Sequence, residues 1–163
     1  MNAPRARRAS VGRSPVVEVR SDGLPGATLY RRRLRASAAR FLRTLGLDQV
    51  ELSVLLTDDP GIQALNRSWR GKDRPTDVLS FPAGEPPPGA TGPRHLGDVI
   101  LSLDTARRQA RAHRRPLGWE LDLYLAHGLL HLLGHDHRRP RDADRMAALE
   151  ARLLGRPGMV PGR

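Results

Sequence analysis

The segment from His127 to His137 reads His-Gly-Leu-Leu-His-Leu-Leu-Gly-His-Asp-His, and it restricts the possible folds more than any other part of the chain. Two histidines four residues apart lie on one side of a helix, so their imidazoles can bind the same ion. Gly134 can adopt a positive φ and end that helix. The chain can then double back and bring His137 to the same point. Three neutral imidazoles leave one position of a tetrahedral zinc ion open to water, which is typical of catalytic sites.

His135 competes with His137 as the third ligand, because it lies four residues after His131. We prefer His137, since a turn at Gly134 takes the chain away from the helical stripe that His135 would need. His135 is then expected at the rim of the site. Asp136 is a candidate for orienting a ligating histidine by hydrogen bonding.

The spacing of the three histidines, together with Gly134, matches the third-histidine pattern of metzincin proteases. A metzincin has its general base, a glutamate, directly after the first histidine, and this chain has Gly128 there. Glu120 lies on the same helical face as His127 and is a candidate for supporting the metal site. The alternative for Glu120 is a buried salt bridge to an arginine.

The second feature is positive charge. The chain has a formal net charge of +11, and Lys72 is its only lysine among 28 basic residues. Arginine has a planar fork that matches phosphate, so such a surface suits nucleic acid. A genomic preference for arginine codons would explain the excess of arginine over lysine, but not the net charge.

A basic segment, residues 67–82, concentrates this charge directly before a predicted strand. Its side chains can make several phosphate contacts, and Trp69 within it can pack or stack on a base. The alternative is an ordinary solvated turn. The candidate RNA-binding side chains are Arg67, Lys72 and Arg74, and Arg70 lies between them.

Hydrophobic periodicity, caps and breakers predict four strands and five helices. The strands are 16–19, 51–56, 78–81 and 96–101, and the helices are 29–45, 59–69, 104–113, 116–133 and 142–154. Asp59 and Asp104 are the predicted caps of the second and third helices. There is no strict βαβ rhythm. We therefore expect a single α+β domain with a mixed sheet of about four strands, about five helices and a zincin-like, histidine-rich helix.

Residues 1–14 are predicted to form a disordered basic arm, 15–155 the folded domain and 156–163 a flexible tail. No apolar stretch follows the arm, so we expect neither a secretory signal nor a membrane segment. The chain has no cysteine, which excludes thiolate zinc sites and cysteine nucleophiles and fits a reducing cytoplasm.

Several motifs together resemble the bacterial YbeY family of endoribonucleases and rRNA maturation factors. The resemblance covers about residues 50 to 154, and His135 stands where the family usually has tyrosine. The matching residues are Leu65-Asn66, Arg70-Gly71-Lys72-Asp73, the run from Pro75 to Pro82, Leu96-Gly97-Asp98, Glu120, the run from His127 to His137, Met146 and Glu150.

This resemblance implies one zinc ion per chain on the three histidines His127, His131 and His137, and a functional arginine at Arg70. It also implies cleavage of single-stranded RNA, maturation of the 16S rRNA 3′ end and ribosome quality control. The expected partners are small-subunit rRNA, the small ribosomal subunit and assembly factors. The attacking group is left open between water and the RNA 2′-hydroxyl.

Two other functions remain open at the level of sequence. A zinc peptidase would need a base such as Glu120 in place of the missing glutamate, and it would not explain the positive charge. A non-catalytic ribosome assembly factor would hold a structural zinc with a fourth ligand such as Asp98 or His95. By default, His95 and His113 are interpreted as surface or packing residues.

Overall fold

The computed structural model describes residues 14–21 and 23–156. All nine predicted elements are present in this part of the chain. In order they are β1 (Val16–Ser21), α1 (Ala27–Thr44), β2 (Val50–Thr57), α2 (Asp59–Arg70), β3 (Val78–Pro82), β4 (Arg94–Ser102), α3 (Leu103–Ala112), α4 (Leu117–Leu132) and α5 (Pro140–Leu153). Most of the predicted arm, residues 1–13, and residues 157–163 of the predicted tail lie outside the described residues.

The four strands form one mixed sheet in the order β1-β2-β4-β3. The β1/β2 and β2/β4 pairs are parallel, whereas β3 runs antiparallel to β4. This confirms the predicted α+β class with a mixed sheet. Alternate residues of β2, from Val50 to Leu56, are buried against the main core, because side chains of a strand alternate between the two faces of a sheet.

Helix α4 lies at the centre of the main core and packs against α1, α3, α5, β3 and β4. Twelve of its 16 residues are buried, which explains why its sequence is apolar on nearly all sides. Gly128 allows close packing on the sheet, since a Cβ there would lie 2.7 Å from Val99 Cγ1. His127 and His131 are therefore carried by the most firmly packed helix of the fold.

The other face of the sheet is covered by α2, which buries Ile62 against Leu79 and Ile100 in a smaller core. Trp69, near the end of α2, has 71% of its surface exposed. This face is thus only partly covered. None of the helices in the described part of the chain is both long and apolar enough to cross a membrane.

The predicted caps of α2 and α3 were each wrong by one or two residues. Asp58 caps α2, with its side chain accepting a hydrogen bond from the Gly61 N–H at 2.8 Å, and Ser102 caps α3. Asp59 does not cap α2; its side chain accepts hydrogen bonds from Ser102, the cap of α3, and from Thr105 in the first turn of α3. The Asp104 carboxylate accepts one from the Asp59 N–H. The two aspartates join the starts of the two helices, which a purely local pattern does not reveal.

Candidate metal centre

Three histidines converge at the C-terminal end of α4. A ring nitrogen from each of His127, His131 and His137 lies within 4.8 Å of the other two. The Nε2 atoms of His127 and His131 are 2.9 Å apart, as one helical turn between them allows. Exposure increases along the series, from buried His127 to exposed His137. The cluster is thus buried on the side of His127 and faces solvent on the side of His137.

The turn after α4 brings His137 to the cluster. Gly134 has φ of 86°, and the hydrogen bonds from Gly134 N–H to His131 C=O and from His135 N–H to Leu130 C=O form a Schellman motif. Among the described residues, the group that could hold an ion contains His137 and not His135. His135 instead lines the cleft beside the cluster.

Glu150 of α5 fixes the orientation of the innermost histidine. Its Oε1 lies 2.5 Å from His127 Nδ1, and both side chains are less than 10% exposed. A carboxylate accepts a hydrogen bond there, so His127 carries its proton on Nδ1 and directs the lone pair of Nε2 toward His131 and His137. Glu150 is one of the residues that match the family, but its role could not be predicted from sequence. It lies 23 residues after His127, and only the packing of α5 on α4 joins them.

The surroundings of His131 favour its neutral imidazole form. Burial lowers the pKa of His131, and the neighbouring His127 and His137 lower it further. Asp136 accepts a hydrogen bond from the His137 backbone N–H at 2.7 Å, and this bond lowers the pKa of the Asp136 carboxyl. Asp136 therefore holds the backbone of the turn rather than an imidazole ring.

The donor set fits a transition metal ion. Nitrogens bound to tetrahedral zinc at about 2.0–2.1 Å are roughly 3.3 Å apart. The observed spacings of 2.9 Å and of up to 4.8 Å bracket that value. Three imidazole nitrogens suit zinc, copper, iron and nickel and disfavour calcium or magnesium.

A cleft of about 800 Å³ joins the histidines to the basic segment. We call it the metal cleft, and its lining includes Arg70, Lys72, Pro82, His131 and His137. Of the basic segment, the candidate catalytic residue Arg70 and the candidate RNA-binding residue Lys72 are thus brought to the cluster. Arg67 lies outside this lining, with Nη1 3.9 Å from Asp73 and 65% of its side chain exposed. Arg74 is also exposed and outside the lining.

Glu120 is placed away from the three histidines. It lies two turns before His127 on α4, and its Oε1 is 3.8 Å from His113 Nδ1. The side chain is almost fully buried, and Oε2 has no hydrogen-bond partner. The ionisable side chain beside it is therefore a histidine rather than the arginine suggested by the sequence. Glu120 borders a separate cavity of about 330 Å³.

Gly128 occupies the position at which a metzincin carries its base. A Cβ at this residue would meet Val99 and Val78 of the sheet at 2.7 and 3.0 Å. A side chain at position 128 would therefore point into the core and not toward a bound substrate. The glutamate is absent because α4 packs closely on the sheet at this position. The peptidase alternative therefore lacks the general base that it requires after the first histidine.

The fold and the site together define an α+β protein with a three-histidine, metal-competent centre beside a basic cleft. The family model described as Endoribonuclease YbeY matches residues 27–158. The chain belongs to this family.

Relatives named Endoribonuclease YbeY are similar over most of this chain. The Myxococcus xanthus relative is 62% identical over 131 residues, which are 80% of this chain and 45% of that protein. An Anaeromyxobacter relative is 61% identical over 79% of this chain and 66% of that protein. The chain thus spans between about half and two thirds of the length of these two relatives.

One solved structure is similar in fold. The solution structure of a Thermotoga maritima protein superimposes with a TM-score of 0.56 and covers 85% of this chain and 90% of that one. At 24% sequence identity, this likeness supports the fold alone.

Proposed function

We propose that this chain is a zinc-dependent endoribonuclease that hydrolyses single-stranded RNA. The observation that carries the proposal is the metal cleft, where Arg70 and Lys72 lie on the same concave surface as His131 and His137. A phosphodiester bound there would contact fixed positive charge and the metal ligands at once. The family and the net charge of +11 both support an RNA substrate.

The three histidines would hold the zinc ion, which supplies Lewis-acid stabilisation of a phosphoryl oxygen and lowers the pKa of coordinated water. Glu150 holds His127 in the tautomer that ligation needs. Asp136 holds the turn that carries His137. These two carboxylates act on different ligands, so the first controls ring orientation and the second controls backbone placement.

Arg70 is the proposed catalytic cation. Its guanidinium can donate two parallel hydrogen bonds to the non-bridging phosphate oxygens, whose negative charge grows during attack. Lys72 would bind the same strand as a point charge. Arg67 and Arg74, on the exposed surface outside the cleft, would contact flanking phosphates. In this proposal Arg70 stabilises the reacting phosphate, whereas the other cations of the segment hold the RNA strand in place.

We propose that the protein acts in the cytoplasm and that its substrate there is the precursor of the 16S rRNA 3′ end. Its proposed partners are the small ribosomal subunit and assembly factors. Family membership supports this assignment. The open cleft can admit a single strand that projects from a larger particle.

Cleavage assays test the activity directly. Metal-free protein, zinc-reloaded protein and reloaded protein with chelator are compared on single-stranded RNA, on the duplex of the same sequence and on casein. Zinc-dependent cleavage of the single strand alone is expected. Degradation of casein would instead support the peptidase, and no cleavage of either substrate would support an assembly factor. Analysis of fragment ends distinguishes the nucleophiles, because attack by the 2′-hydroxyl leaves a 2′,3′-cyclic phosphate.

Substitutions in the basic segment separate catalysis from binding. Arg70→Ala should lower kcat about 100-fold or more, in line with loss of a transition-state donor. The matched control is Arg32→Ala, which removes an exposed arginine of α1 and should leave kcat within about twofold. Arg74→Ala should leave kcat unchanged and reduce the slope of log affinity against log salt by about 0.7. Unchanged RNA binding and cleavage in Arg70→Ala would refute its proposed role.

A further inference from the structure

Trp69 is an exposed aromatic side chain that the metal centre does not use. It is 71% exposed, the largest value among the big apolar side chains in the described residues. Its ring contacts Phe81, with centroids 5.7 Å apart and planes tilted by 58°. The indole is therefore supported on one side by the sheet and open to solvent on the other.

Trp69 forms one wall of a groove on the partly covered face of the sheet. We call this the outer groove; its volume is about 610 Å³, and its lining includes Ser53, Leu55, Leu65, Trp69, Phe81 and Ile100. Pro82 lines both the outer groove and the metal cleft. The two concave surfaces thus adjoin at the end of β3.

Trp69 and Arg70 connect the two surfaces through the last turn of α2. Successive residues of a helix point about 100° apart, and here Trp69 lines the outer groove while Arg70 lines the metal cleft. In RNA, a base and its phosphate are also close together, because both are attached to the same sugar. A nucleotide whose phosphate contacts Arg70 therefore has a neighbouring base within reach of Trp69.

The charges on the two surfaces differ in a way that orients a nucleotide. The metal cleft is lined by three cations, Arg70, Lys72 and Arg138, and one carboxylate, Asp136, whereas the outer groove is lined by two carboxylates, Glu18 and Asp98, and one cation, Arg20. Asp98 pairs in register with Phe81, next to the tryptophan. Carboxylates repel phosphate but accept hydrogen bonds from the amino groups of bases. The backbone is thus favoured in the cleft and the base in the groove.

We propose that Trp69 is a base-stacking platform and that the outer groove is a subsite for an unpaired nucleobase of the bound RNA. The subsite rests on the proposed nuclease function and deepens it. Stacking on an aromatic ring needs a base that is free of its partner strand but accepts any base. A platform beside Arg70 thus selects single strands over duplexes. Asp98 adds a preference for bases that carry an exocyclic amino group.

Fluorescence tests the subsite without cleavage. The chain has two tryptophans, so Trp119→Phe leaves Trp69 as the only indole. This variant, kept metal-free by chelator, is titrated with a short single-stranded RNA. Quenching of the emission is expected with the single strand and not with the duplex. Unchanged emission at an RNA concentration that saturates binding, measured by anisotropy of labelled RNA, would overturn the proposal.

Kinetics tests the same residue in active protein. Trp69→Ala should raise KM and the RNA dissociation constant roughly 5- to 150-fold, which corresponds to about 1–3 kcal/mol per stacked base. The value of kcat should change less than about threefold, and Trp69→Phe should recover most of the affinity. Leu29→Ala is the matched control, because Leu29 is 68% exposed but lies on α1 away from the groove.

The outcomes separate the subsite from the activity. If the wild-type protein cleaves RNA and Trp69→Ala binds it with unchanged affinity, the subsite is wrong and the nuclease stands. If single-stranded RNA quenches Trp69 but no condition gives cleavage, the subsite stands and the proposed activity is wrong. A melting temperature for Trp69→Ala close to that of the wild type confirms that the comparison is between folded proteins.

Discussion

Replacing Glu150 by glutamine tests how the protein prepares His127 for metal binding. Glutamine has nearly the same shape and keeps an oxygen that can accept the hydrogen bond from His127 Nδ1, so the change removes mainly the negative charge. The contact is buried, with 7% and 6% of the two side chains exposed, and solvent screens it little. Loss of such a partner weakens metal affinity about 10- to 100-fold, or about 1.4–2.7 kcal/mol.

The assay is a competition titration of metal-free protein against a fluorescent zinc chelator at neutral pH. Two variants serve as controls. Glu120→Gln alters a buried carboxylate on the same helix that faces His113, and it should leave zinc affinity within about twofold of wild type. Asp136→Asn alters the hydrogen bond to the His137 backbone and should have a smaller effect than Glu150→Gln. The reasoning is refuted if Glu150→Gln binds zinc as tightly as wild type, or if Glu120→Gln weakens binding equally.

Two further predictions concern the scaffold. Gly128→Ala should lower the free energy of unfolding by about 1–3 kcal/mol in chemical denaturation, because the added methyl group would lie 2.7 Å from Val99 Cγ1; a stability equal to wild type would contradict the packing account. For Asp59, burial raises the carboxyl pKa, but hydrogen bonds from Ser102, Arg108 and Thr105 outweigh burial and hold the pKa below 3.8. A lowered folded-state pKa contributes stability above pH 3.8 that is lost as pH falls through the folded-state value. Asp59→Asn should therefore be less stable at pH 7 and lose less stability than wild type between pH 5 and about 2 in thermal unfolding; equal acid losses would contradict this.

The secondary structure could be predicted well because its signals are local. Apolar periodicity indicated where the helices lie, and glycine and proline residues indicated most of the helix and strand ends. The predicted cap of α2 was wrong because Asp58 and Asp59 are adjacent and both are able to cap. The choice between them depends on Asp59 reaching Ser102 and Thr105 of another helix.

The candidate site could be predicted from sequence only where its residues are close along the chain. The His127 to His137 run contains its own helix, turn and ligands, so spacing alone indicates a metal site. The hydrogen bond from His127 to Glu150 and the position of Arg70 on the metal cleft both depend on how separate elements pack. The exposure of Trp69 depends on how little of the outer sheet face α2 covers.

The most direct test of the account is an anomalous-scattering measurement at the zinc edge on crystals of protein that was never exposed to chelator. We expect one zinc ion per chain, bound by nitrogens of His127, His131 and His137, with a solvent molecule or substrate oxygen as its remaining ligand. Absence of a stoichiometric ion with the three rings turned apart would contradict the account, as would a fourth protein ligand that closes the site.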